Sequence, residues 1–302
     1  MSSTILITGS TGLVGKALVK MCLSQGHIVH YLTTQKSKII LTENCKGFFW
    51  NPQLDLIDIC CFEGVEVVIN LAGSSIAQRW TSSAKSSILS SRKQALELLY
   101  SIIKVNKFHI KHIISASAIG IYPDSKTRYY NEDFNGNDTS FLRTVVRSWE
   151  GVLKSFKSLG IKTTILRIGI VLDKHQGALP KISGPIKAYI GSALGSGEQW
   201  QSWIHIDDLV RMFMYVLDLK LYGVYNAVAP NPVQQMDFVK SVASIFNRPL
   251  IFPKVPEFLL RFVLGEMSAL ALESQRVCAK KIQDQGFEFN FHELGAALDD
   301  LL

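Results

Sequence analysis

Through the first half of this 302-residue chain, short runs of β-branched residues alternate with longer stretches whose apolar side chains recur every three or four positions. The runs TILIT (4–8), HIVHYL (27–32), GFFW (47–50), VEVVINLA (65–72), HIKHIISAS (109–117) and KTTILRIGIVL (162–172) predict strands. Several are apolar on both faces, the pattern of parallel strands covered by helices on either side. Helical periodicity covers 12–25, 82–106 and 140–158. Such alternation predicts an α/β fold, a Rossmann-type doubly wound parallel sheet. After residue 172 the texture changes. The loop-rich IGSALGSGEQWQSW precedes helices near 206–219 and 234–247, and Pro249, Pro253 and Pro256 punctuate a last helical segment. With no repeat and no low-complexity linker, 1–172 is expected to form the Rossmann domain. Residues 173–302 are expected to form a smaller mixed α/β lobe on the substrate side, with parts of 200–230 returning to the sheet.

Composition narrows the classes. A chain with 47% hydrophobic and 19% charged residues can bury a substantial core without disulfides or metal. The formal net charge of +7 is scattered, the densest sets being Lys36/Lys38 and Lys280/Lys281, so no nucleic-acid partner is expected. Five cysteines without ligand-like spacing predict free thiols in a reducing cytoplasm and no metal site. The start, MSSTILITGSTG, has no basic leader with a cleavable apolar segment. The most apolar later stretch, FLLRFVLGEMSALALE, is interrupted by Arg261, Gly265 and Glu266, too soon to span a membrane. A soluble protein is expected, monomer or homodimer, with no membrane partner and a small-molecule substrate.

The glycine pattern Thr8-Gly9-Ser10-Thr11-Gly12-Leu13-Val14-Gly15 follows the first strand and opens the first helix, the context in which such a pattern carries meaning. Gly9 permits a tight turn, Gly12 admits a pyrophosphate to the backbone N–H groups, and Gly15 lets helix and strand pack closely; the phosphates then sit at the positive helix terminus. An acid about 20 residues further on would select NAD through the ribose 2′-hydroxyl. None is present. The second strand instead runs into YLTTQKSK, where Thr33, Thr34, Lys36 and Lys38 offer hydroxyls and positive charge to a 2′-phosphate, so NADP is preferred and NAD remains possible. The same lysines also read as ordinary loop charges.

The pattern TGxxGxxG, NLAG (70–73) and WIHIDDLV (203–210) resembles the extended short-chain dehydrogenase/reductase superfamily. NLAGSSIAQRWTSSAKSSILSSR, SASAIGIY, LRIGIVL, LGSGEQWQSWIHIDDLV, FPKVPEFLLRFVLGEM and GFEF then follow in the order of one branch, the YfcH-like epimerase-family proteins with a C-terminal domain of unknown function. The resemblance runs from Thr4 to the C-terminus. It implies an NAD(P)-binding domain, a substrate-side lobe and an epimerase-like oxidoreductase of unassigned substrate. It implies that Gly9, Ser10, Thr11, Gly12 and Leu13 hold the pyrophosphate and that Leu71, Ala72 and Gly73 line the adenine and ribose side. The arginine that the family usually places after the second strand is Thr34 here.

The superfamily's proton machinery is a tyrosine and a lysine four residues apart on a helix, the lysine lowering the tyrosine pKa. Counting back from Glu150, which resembles the glutamate that follows that pair, puts Leu142 and Val146 at the two positions. With Val145 and Trp149 they form an apolar stripe. Tyr122-x-x-x-Lys126 has the right spacing, but Pro123 and Asp124 mark a turn, and the spacing rule assumes a helix. Tyr122 alone, with Ser117 at the superfamily's serine position, is a candidate contact for a reacting oxygen. Arg92, near the superfamily's asparagine, is a candidate for an acidic substrate group or an orienting ion pair. His205 reads as a strand-to-helix corner with Asp207 or Asp208 capping the helix. Two function classes follow: an NADP-dependent oxidoreductase lacking the usual pair, or a non-catalytic NADP(H)-binding sensor.

Overall fold

The computed structural model describes residues 2–136 and 139–302. Its first half runs β1 (Thr4–Thr8), α1 (Leu13–Ser24), β2 (Ile28–Thr33), β3 (Cys45–Asn51), β4 (Leu56–Ile57), β5 (Val65–Asn70), α2 (Ser82–Asn106), β6 (His112–Ala118), β7 (Tyr129–Tyr130), α3 (Phe141–Ser155), β8 (Lys162–Ile168) and β9 (Ile170–Leu172). Then follow α4 (Leu179–Lys187), β10 (Trp200–Gln201), β11 (Trp203–His205), α5 (Ile206–Asp218), β12 (Gly223–Ala227), β13 (Val233–Gln234), α6 (Gln235–Ile245), α7 (Glu257–Leu264), α8 (Ala269–Leu272), β14 (Arg276–Val277), α9 (Lys280–Gln283) and α10 (Leu294–Leu301).

Eight strands form the main sheet in the order β12-β8-β6-β5-β1-β2-β3-β4, parallel throughout except for the short β3–β4 pair. Chain order reverses between β1 and β5. A ligand in such a sheet lies in the crevice outside the carboxyl ends of the strands at this switch point. α1 and α5 pack together, as do α2 and α3, so the central strands are covered. Ile5, Leu6 and Ile7 are fully buried, each contributing about 1.5–3 kcal/mol on the scale of complete side-chain burial.

The predicted strand 162–172 is two strands. The partner changes at Gly169: its N–H still bonds the Ala227 carbonyl, the next N–H, of Ile170, bonds the Ser202 carbonyl at 2.8 Å, and a Cβ on Gly169 would lie 2.3 Å from that Ser202 oxygen. β8 stays in the main sheet while β9 pairs with β11. Further on, β12 returns to the sheet edge beside β8, from Gly223↔Thr164 to Ala227↔Ile168. A second core, with Trp203, Phe238, Val242 and Leu298, fills the C-terminal part. Among the described residues no helix is long and apolar enough to cross a membrane.

Candidate functional site

The switch point is held by Thr8. Its hydroxyl accepts from the N–H groups of Leu71 and Ala72, both at 3.1 Å, and donates to Asn70 Oδ1 at 2.7 Å. Asn70 Nδ2 passes the chain on to Ser115 Oγ at 3.1 Å. The carboxyl ends of β1, β5 and β6 are thereby fixed to one another beneath the glycine loop.

In that loop Gly9 has φ of +68°, and a Cβ on it would lie 2.6 Å from the Leu71 oxygen; one on Gly15 would lie 2.2 Å from the Gly9 oxygen. Gly12 is the N-cap of α1 and carries no side chain to bond the first-turn N–H groups, and no acid occupies that turn. The positive end of the helix is therefore uncompensated. Ser10 is 6% exposed, and its hydroxyl has no hydrogen-bond partner among the described residues. A buried hydroxyl without an acceptor is costly. An anionic oxygen at the helix terminus fits it, so the residues present suit a pyrophosphate. Leu71 and Ala72 border the loop, Gly73 follows them, and Thr34 and Lys36 are exposed beyond the end of β2, Lys36 with its ammonium 5.2 Å from the Phe49 ring centre.

Arg92 is half-buried on α2. Its Nη1 donates to the carbonyls of Ser74 and Ile88, both at 3.0 Å, and its guanidinium lies 5.3 Å from the Trp149 ring centre. Among the described residues no carboxylate pairs with it, and burial pushes its pKa down to about 10, still protonated at neutral pH. Of the two roles open to it in the sequence, the orienting contact is made by carbonyls and a π face rather than an ion pair. Gly73 packs directly on it, since a Cβ there would meet Arg92 Cζ at 2.9 Å.

On α3 the positions corresponding to the proton pair are filled. Leu142 is 8% exposed and Val146 3%. Leu142 packs beside Gly120 and joins Trp80, Ile88 and Val145 in a separate apolar cluster, with Phe141 and Met267 against it.

Beneath that stripe lies a buried polar network. Ser117 Oγ donates to Glu150 Oε1 at 2.7 Å, and Arg167 grips the same carboxylate with Nε and Nη2, both at 3.0 Å. Arg167 Nη1 donates to the Tyr122 hydroxyl at 3.0 Å, which donates its own proton to Asn226 Oδ1 at 2.7 Å. Burial disfavours the Arg167 charge, but the Glu150 hydrogen bonds and charge outweigh it and hold the guanidinium protonated. Burial raises the Tyr122 pKa to about 12 against the opposing pull of Arg167, the reverse of the activation a catalytic tyrosine receives.

Tyr122 and Lys126 lie on a loop. The C-terminal segment clamps it: Ser274 N–H donates to Asp124 Oδ1 at 2.8 Å and Gln275 Nε2 to the Tyr122 carbonyl at 3.0 Å. Lys126 faces outward and pairs with Glu198 at 2.7 Å. His205 itself caps α5, its Nδ1 accepting from Asp207 N–H at 3.1 Å; this replaces the expected aspartate cap. Asp208 is instead buried, accepting from the N–H groups of Asn290 and Phe291 at 2.9 Å. No motif marks Arg167, Asn226 or Thr8 as site residues in the sequence, and Glu150 stands out there only by its resemblance to the glutamate after the missing pair. A buried-strand arginine in LRIGIVL was the available signal, since such a charge needs a partner.

A sheet with its crevice at a glycine loop of this geometry defines a dinucleotide-binding protein of the Rossmann class. The chain belongs to the NAD dependent epimerase/dehydratase family, whose pattern matches residues 5–227, and the domain of unknown function DUF1731 matches 255–301. It is an NAD(P)-binding protein of that family. Two relatives are epimerase family protein SSP1921 of Staphylococcus saprophyticus, 38% identical over 98% of both chains, and epimerase family protein YfhF of Bacillus subtilis, 37% identical over 99% of this chain and 97% of that one. The solved structure of human epimerase family protein SDR39U1 with NADPH is similar with a TM-score of 0.85 at 26% identity, covering 99% of this chain and 98% of that one.

Proposed function

We propose that the protein is an NADP(H)-dependent oxidoreductase of the epimerase type, acting on a small molecule without a tyrosine–lysine proton pair. The observation that carries this reading is the unpartnered Ser10 hydroxyl under an uncapped helix terminus. Gly9, Ser10, Thr11, Gly12, Leu13 and Gly15 hold the pyrophosphate; Leu71, Ala72 and Gly73 line the adenine and ribose side. Thr34 and Lys36 face the 2′-phosphate, in keeping with the NADPH carried by the human relative. Bound, the nicotinamide supplies hydride chemistry.

Ser117, Tyr122 and Arg92 are the polar groups assigned to the reaction side. The hydrogen bonds give Ser117 and Tyr122 a positioning part, since each has its proton committed to a buried partner. Arg92 keeps a charge next to the cleft and orients α2 against Gly73. Free thiols at all five cysteines suit a reducing compartment such as the cytoplasm.

Calorimetric titration with NADPH and NADH tests the cofactor reading. A charge-assisted hydrogen bond contributes about 1.5–3 kcal/mol, so Ser10→Ala should weaken NADPH about tenfold or more. Equal binding by the variant would remove the basis of the assignment. Anaerobic NADPH oxidation over a panel of carbonyl substrates tests turnover. The buried Leu142 and Val146 favour a second reading, a non-catalytic sensor of NADP⁺ against NADPH. It predicts cofactor binding without turnover and a partner affinity that differs between the two redox forms.

A further inference from the structure

The apolar run that is too short to span a membrane folds into a surface feature. On α7, Phe258 is 74% exposed and Phe262 83%, with exposed Leu259 and Val263 beside them, while Leu260 faces inward. Residues four apart share one face of a helix, so these four side chains form a single stripe. A groove of about 270 Å³ extends it, where Leu259 meets Ile190, Phe252, Val255 and Lys254. Ile190, Ile251 and Phe252 are each more than half exposed. Contiguous apolar surface of this kind marks an interaction face.

The charged residue that lines the groove is basic, and two further cations lie near it. Lys254 lines it with its ammonium donating to the Ser196 carbonyl at 2.6 Å, the Arg248 guanidinium stacks 4.2 Å from the centre of the exposed Tyr189 ring, and Lys187 sits 4.4 Å from that of Phe246. Among the described residues none of these three cations has a carboxylate within ion-pair distance. The acid of α7, Glu257, is neutralised by Arg261 at 2.6 Å.

We propose that this face docks on the surface of an anionic lipid bilayer. α7 lies in the headgroup region with Phe258 and Phe262 inserted, and Lys187, Arg248 and Lys254 face lipid phosphates. Apolar burial and attraction of basic residues to anionic headgroups act together in such contacts. A second copy of the chain fits less well. In a two-fold contact the patch meets itself, setting three cations that lack a carboxylate partner against their own images. The placement also bears on the cleft. Just after α7, Glu266 pairs with Lys85 of α2 at 2.6 Å and Met267 packs against the cluster around Leu142.

Sedimentation of the full chain with vesicles tests this, using phosphatidylcholine alone and phosphatidylcholine mixed with phosphatidylglycerol. The protein should pellet with the mixed vesicles, and less so as salt rises. Phe258→Ser with Phe262→Ser should weaken binding about tenfold or more without changing the Tm or circular dichroism, because both rings project into solvent. Lys254→Glu should weaken it independently. Absence of pelleting, or equal pelleting of the double variant, would overturn the proposal. So would a concentration-dependent dimer that the double variant abolishes, which would assign the face to a second copy.

Discussion

Replacing Glu150 by alanine removes the centre of the buried network and leaves Arg167 charged in a site where it is 7% exposed. Arg167 would lose two hydrogen bonds of 3.0 Å and Ser117 its acceptor, while the Tyr122 hydroxyl would be the main partner left. Breaking a buried pair by deleting one member costs about 3–5 kcal/mol because the other charge stays desolvated. An orphaned hydroxyl adds about 1 kcal/mol. Set against a total stability of about 5–15 kcal/mol, Glu150→Ala should unfold at much lower urea. Glu150→Leu combined with Arg167→Met should recover most of the loss, since replacing both charges by apolar groups is often near neutral. A double-mutant cycle by urea unfolding, followed by circular dichroism and tryptophan fluorescence together, measures the coupling. Single variants within about 0.5 kcal/mol of wild type would refute the reasoning, because the pair would then behave like a solvated surface pair. Strict additivity of the two changes would refute it equally.

Three further outcomes follow from the site and its surroundings. Gly12→Ala should fold, since its Cβ would stand 3.3 Å from the Gly9 oxygen, yet weaken NADPH about tenfold in calorimetry, whereas Gly15→Ala, at 2.2 Å from the same atom, should lose stability outright. His112 is buried against Thr164, and burial lowers its pKa from 6.5 to about 4, so the unfolded chain binds a proton that the folded chain refuses. Its contribution is present in full above pH 6.5 and is lost as pH falls towards 4, by up to about 3 kcal/mol; the difference between wild type and His112→Gln across pH should show this slope. Leu142→Tyr with Val146→Lys places a lysine where the native residue is 3% exposed; the variant should lose stability, and a gain of NADPH-dependent reduction would show that the cleft lacks only the pair.

The parallel sheet was legible because its strands are apolar on both faces, and the glycine loop because it stands between a strand and a helix. Helix α2 has the predicted bounds, 82–106, and the apolar stripe of α3 is buried as its periodicity required. What stayed hidden depends on partners far apart in sequence. The apparently continuous strand splits at Gly169 because Ser202 takes over as the partner and, with Val228, packs where a side chain would stand, contacts that no local pattern encodes. Tyr122 shows the same limit: its spacing to Lys126 is visible, but its burial and its bond to Asn226, 104 residues away, are not. His205 displaced an expected aspartate cap because imidazole Nδ1 can accept an N–H as a carboxylate does.

The return of β12 to the sheet has a consequence for where this chain can be divided. Its partner β8 would otherwise be the outermost parallel strand, since β12 alone covers that side. A fragment ending at residue 172 would present the bare ladder of β8, in a strand whose Ile165 and Leu166 are buried in the intact protein. An apolar strand with open N–H and C=O groups is a template for intermolecular pairing. Residues 1–172 therefore rely on the later chain to cover this edge. Truncation at the apparent domain boundary should give aggregates, and a separable Rossmann fragment must extend at least through Ala227.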